Sequence, residues 1–101
     1  MTDAEFESLA DATLDAIERA LDRVGVDIDV QAKGDGVLEI EFPDGSKAIV
    51  NRHGAAREIW VAAKSGGFHF RRVGDNWHDT RDGTELFAAL SRIVSDRKSV
   101  V

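Results

Sequence analysis

Apolar residues in the first quarter of the chain recur at spacings of three and four. Phe6, Leu9, Ala10, Leu14, Ile17, Leu21 and Val24 fall on one face of a helix over residues 3–24. Thr2 with Glu5 three positions on matches a capping box, and Gly25 is a glycine stop at the helix C-terminus. The period then changes from helical to alternating. Leu38, Ile40 and Phe42 interleave with Glu39 and Glu41, the pattern of a half-buried strand. Asp44-Gly45 signals a turn into a strand over residues 47–52. His53-Gly54 leads to another over 58–64, with Ile59, Val61 and Ala63 facing inward. Gly66-Gly67 and Gly74-Asp75-Asn76 bracket a strand over 68–73, and a short one surrounds Trp77. A further strand over 27–32 precedes these, closed by Lys33-Gly34-Asp35-Gly36. Residues 84–96 return to the helical period through Leu86, Leu90, Ile93 and Val94, with Asp82 as the expected cap and Glu85 three positions on.

The order helix, five or six strands, helix, with short turns throughout, predicts an antiparallel meander covered on one face by both helices. This is an α+β two-layer sandwich occupying residues 1–101 as a single domain, with the second sheet face left to water. A chain of 101 residues suits one core. No apolar run approaches a membrane span, and the acidic start lacks the features of a secretory signal, so a cytoplasmic protein without a membrane partner is expected. The absence of cysteine excludes disulfides, thiolate metal sites and cysteine nucleophiles.

The net charge of −6 is unevenly distributed. Residues 1–29 carry nine acids against two bases, and the remainder carries ten against eleven. Such a field repels phosphate backbones and attracts cations or basic protein surfaces, so no nucleic-acid partner is expected. On a helical wheel Glu7, Asp11, Asp15, Glu18 and Asp22 share an arc of about 80°, which Asp3 widens to about 120°. Acids spaced four apart repel one another, and acids late in a helix oppose its dipole. Asp27 and Asp29 follow just beyond. A solvated acidic face is the plain reading. The functional one is a carboxylate ridge for hard cations such as Fe²⁺, Fe³⁺, Mn²⁺ or Ca²⁺, weakly held at the surface, or for a basic partner. The metal-ligand candidates are therefore Glu7, Asp11, Asp15, Glu18, Asp22, Asp27 and Asp29.

The alternation that buries Ile59, Val61 and Ala63 puts Trp60 on the opposite, wet face, beside Asn51 of the preceding strand. A tryptophan there marks a protein-binding hot spot, whereas a register slip of one would send it into the core. His53, His69 and His78 have no ligand spacing and read as scattered surface histidines. Phe68 and Phe70, two apart, have the spacing of a base-stacking platform, but the element order and the acidic first third oppose nucleic-acid binding. Neither a nucleophile beside a histidine nor a paired Glu-x-x-His set is present, so no catalytic residues and no enzyme are expected.

Taken together, Glu5-Phe6, Leu9-Ala10-Asp11, Gly36-Val37-Leu38, Gly45-Ser46-Lys47, Ile49-Val50-Asn51-Arg52, Ile59-Trp60-Val61-Ala62, Gly66-Gly67-Phe68-His69-Phe70 and Gly74-Asp75-Asn76-Trp77 resemble the bacterial frataxin family in order along nearly the whole chain. The resemblance implies the family's α+β sandwich and an iron-binding protein that takes part in and regulates iron–sulfur cluster assembly, with an iron-donor role among its proposed duties. It implies no organic cofactor. It also implies docking on a cysteine desulfurase through the ridge, with Glu18 and Asp22 at its centre, and on the scaffold protein through Asn51 and Trp60. The expected state is a monomer, with iron-dependent oligomers as the alternative. The alternative function is a protein-binding module whose ridge docks on a basic desulfurase surface, iron being incidental. Arg19 and Arg23 stand where relatives often carry the second of paired acids, which implies a lower iron capacity.

Overall fold

The mid-chain alternation builds one six-stranded antiparallel sheet, strands in sequence order. A computed structural model describes residues 1–24 and 27–98. It contains α1 (Asp3–Val24), β1 (Asp29–Ala32), β2 (Val37–Glu41), β3 (Lys47–His53), β4 (Glu58–Ala63), β5 (Gly66–Val73), β6 (Asn76–Asp79) and α2 (Leu86–Lys98). The sandwich anticipated from the sequence is present, with six strands rather than five.

The capping box forms as expected. Thr2 N donates to Glu5 Oε1 at 2.9 Å, and Glu5 N donates to Thr2 Oγ1 at 3.1 Å. The expected stop at Gly25 lies outside the described residues. At α2 the expected cap is corrected. Asp82 accepts from Thr84 N within the preceding turn, and Glu85 accepts from Phe87 N at 3.0 Å, capping a helix that begins two residues later than predicted. The first strand likewise begins at Asp29 rather than at 27.

Phe6, Ala10, Leu14, Ile17 and Leu21 of α1 bury against Leu38, Ile40, Ala48, Val50, Ile59, Val61, Phe70 and Trp77 of the sheet, with Leu86, Leu90 and Val94 of α2 completing the core. Phe70 is buried and Phe68 packs against the core, which removes the base-stacking platform. Val24, placed on the apolar stripe by periodicity, is 40% exposed. Trp77 is the largest buried side chain, and its Nε1–H donates to Thr13 Oγ1 at 2.9 Å, while the Thr13 hydroxyl donates to Leu9 O. The one polar atom that the indole carries inward is thereby satisfied. No helix among the described residues is long and apolar enough to cross a membrane.

Candidate functional site: an acidic helix and an aromatic sheet face

Two surfaces carry the chemistry, and the sheet register decides what each contains. On the helix side, Arg52 pairs with Ile59 across β3–β4, so it occupies the core-facing side of the sheet. At the sheet's end it reaches α1, where its guanidinium pairs with the Asp11 carboxylate and lies 3.6 Å from Glu7. Its side chain is 19% exposed. Gly36 makes the crossing possible: a Cβ there would lie 2.6 Å from Arg52 Cγ, and its φ of +72° is one that glycine adopts freely. A second arginine, Arg57, ties the β3–β4 turn to Asp3, with its Nη2 at 2.9 Å.

The acids expected to form one ridge therefore divide. Asp11 is paired with Arg52, Glu7 lies at the edge of the same guanidinium, and Asp15 lies 3.6 Å from Arg19 in an exposed i,i+4 pair. Glu18, Asp22, Asp27 and Asp29 form no ion pair among the described residues. Asp11, Asp15 and Glu18 line a cleft with Asp35, an acid of the β1–β2 turn that periodicity alone does not bring to the helix. Asp29 instead opposes Glu41 on β2, which opposes Lys47, so it belongs to the water-facing row of the sheet. Among the described residues no three carboxylates or imidazoles converge into a coordination cage.

The water-facing side of the sheet holds a second, denser arrangement. Trp60 sits there as expected, opposite Asn51 on β3 and His69 on β5. It is half-buried rather than fully exposed. Its indole stacks on His53 at 3.7 Å between centroids and 8° between planes, and on His69 at 4.3 Å and 9°. These histidines flank it on opposite strands, so both ring faces are covered and the ring edge meets water. His53 and His69 are thus parts of one aromatic stack, which corrects their reading as scattered surface residues. His78 lies on the same face, opposite Arg71.

Beneath the stack lies Glu58, a carboxylate buried on the open side of the sheet, two residues before Trp60 and therefore on its face. Trp60 Nε1 donates to its Oε1 at 2.9 Å, and Arg71 Nη2 donates to its Oε2 at 2.8 Å. Burial alone would raise the Glu58 carboxyl's pKa. The hydrogen bonds from Trp60 and Arg71, with the charges of Arg71 and His69, outweigh it and hold the group below its ordinary value. Residue-type reasoning passed over Glu58, although its in-strand spacing from Trp60 was a usable signal. Asn51, the other expected partner contact, is half-buried and donates from Nδ2 to the Arg52 carbonyl at 3.3 Å.

The Frataxin-like domain model matches residues 1–99. The chain is similar to the iron-sulfur cluster assembly protein CyaY of Dechloromonas aromatica, at 53% identity over 97 residues, covering 96% of this chain and 92% of that one. It is also similar to the CyaY of Herminiimonas arsenicoxydans, at 54% over 104 residues and 99% and 93% coverage. Among solved structures, frataxin from Psychromonas ingrahamii has the same fold with a TM-score of 0.89 at 31% identity, covering 95% of this chain and 90% of that one. Trimeric frataxin from the yeast Saccharomyces cerevisiae, complexed with ferrous iron, gives a TM-score of 0.80 at 28% identity, with coverage of 91% and 87%.

Proposed function

The chain belongs to the frataxin-like family, and from that premise we propose that it takes part in iron–sulfur cluster assembly in the cytoplasm, without catalysis of its own, as an iron-binding regulator of the assembly machinery. Iron is its cargo, held weakly by surface carboxylates. The observation that carries this reading is the segregation of charge on α1. Arg57, Arg52 and Arg19 pair with Asp3, Asp11 and Asp15, with Glu7 near Arg52, whereas Glu18 and Asp22 toward the end of the helix, and Asp27 beyond it, form no ion pair among the described residues. Hard oxygen donors on an open surface suit ferrous or ferric iron bound without tight geometry. The ferrous complex of the yeast relative supports the same assignment. The iron-donor role rests on the same ridge, which would release a loosely held ion readily.

Partner docking uses both surfaces in this reading. The ridge, centred on Glu18 and Asp22, meets a basic face of the cysteine desulfurase, and the face with Asn51 and Trp60 meets the scaffold protein. A second reading, docking alone with iron incidental, is favoured by one observation: among the described residues no three carboxylates converge. An anaerobic Fe²⁺ titration followed by amide NMR separates the two. Broadening confined to the residues around Glu18, Asp22 and Asp27, abolished in a Glu18→Lys, Asp22→Lys variant, is expected for the iron reading. No perturbation at millimolar Fe²⁺ leaves docking alone.

A further inference from the structure

A carboxylate is rarely buried on the water-facing side of a sheet, because desolvation is costly unless its oxygens are bonded. Glu58 meets that condition by taking one donor on each oxygen, Trp60 Nε1–H on Oε1 and Arg71 on Oε2. His69 Nδ1 lies 3.8 Å from Oε1, and His53 is the cross-strand partner of Glu58 on β3. All four groups that surround the carboxylate are therefore members of the Trp60 face. Turning the indole about its side-chain bonds would unstack it from both imidazoles and also strand a buried charged acceptor, so one orientation is strongly preferred.

We propose that Glu58 is a positioning residue for partner docking: it locks Trp60 edge-outward between His53 and His69 and holds Arg71 against the same face, so that the surface offered to the assembly complex is set before the partner arrives. Preorganisation of this kind lowers the ordering cost of association. The inference rests on the reading that the Trp60 face docks the scaffold.

The test compares the full chain with Glu58→Leu and Glu58→Gln, following the two indole N–H signals by NMR and the affinity for the reconstituted desulfurase–scaffold complex. Trp77, bonded to Thr13 in the core, reports folding independently. With Glu58→Leu the Trp60 signal is expected to move to the position of a free indole, the Trp77 signal to stay, and affinity to fall about tenfold. Glu58→Gln keeps an acceptor for Nε1 and is expected to retain the Trp60 signal and most of the affinity. An unmoved Trp60 signal in Glu58→Leu overturns the proposal, as does unchanged affinity when Trp60→Ala is defective. If Trp60→Ala binds normally, it is the docking reading that fails, and the indole signal still decides whether Glu58 orients the ring. Should Glu58→Leu lose the Trp77 signal, Glu58→Thr, a good strand former too short to reach Nε1, takes its place in the same comparisons.

Discussion

Arg52 on β3 and Asp11 on α1 are 41 positions apart in the chain and form a direct ion pair over the backbone of Gly36. The pair joins the sheet to the helix that carries most of the net negative charge, and it removes Asp11 and, more weakly, Glu7 from the set of free carboxylates. Its energetic value is modest, because the two acids are about half exposed while the arginine is largely covered. Its effect on the surface field is larger, since one fixed cation sits among the acids of the first three turns.

Replacing Arg52 with alanine is expected to lower stability by about 1 kcal/mol, measured by urea denaturation. The same change frees Glu7 and Asp11. Fe²⁺-dependent broadening in the NMR titration should then extend from the second half of α1 back to these residues. Broadening that remains confined to the region of Glu18 and Asp22 would show that Arg52 does not limit where iron binds.

Gly36 and Gly34 make a matched pair for testing the crossing. Both have positive φ, +72° and +77°, but only Gly36 faces the arginine. Gly34→Ala meets open space and should cost about 1 kcal/mol of backbone strain. Gly36→Ala adds a clash with Arg52 and should cost about 2–3 kcal/mol. It should also reproduce the iron response of the Arg52 variant by pushing the side chain aside. Equal denaturation midpoints for the two alanine variants would contradict the geometry.

The fold was legible because each element announces itself by period. The stripe from Phe6 to Leu21 and the alternations around Ile40 and Ile59 each carry one buried face, and Trp60 falls opposite Ile59 on that logic alone. The acidic site was legible only in part. A helical wheel groups Glu7 through Asp22, but it cannot contain Arg52, whose position depends on pairing β3 with β4 and on the approach of α1. Two positions after Val50, Arg52 is already assigned to the inner face by alternation, and an arginine there must find carboxylates at the sheet's end. His53 and His69 were missed for a related reason. Their sequence spacing is 16 residues, and only the two hairpin registers set them on either side of Trp60.

The core hydrogen bond between Trp77 and Thr13 fixes α1 to the last strand. Thr13→Val preserves shape but leaves the buried Nε1–H without an acceptor, which should cost about 2 kcal/mol. Thr13→Ser keeps the hydroxyl and removes one methyl group, for about 1 kcal/mol. Urea midpoints at equal slope would rank wild type, serine and valine in that order. A valine variant as stable as the serine one would mean that the hydroxyl is energetically silent.

Acid should find Glu58 before it disturbs the core. The carboxyl is held below its ordinary value in the folded protein, so folding favours its ionised form, and its contribution to stability is present at neutral pH and lost as pH falls through the folded value. Glu5 and Asp82, lowered by hydrogen bonds from Thr2 and Thr84, act in the same direction at the exposed helix start and turn. Glu58 is therefore isolated by difference. Glu58→Gln should melt a few degrees below wild type at pH 7, because Arg71 loses its charged partner. The gap should close as pH drops below about 4.5, the ordinary glutamate value, where Glu58 of the unfolded chain begins to bind protons while that of the folded protein is still ionised. Melting curves of both proteins from pH 7 to pH 3 measure this directly. A gap that stays constant across the range would mean that the Glu58 charge contributes nothing and that shape alone holds the Trp60 stack.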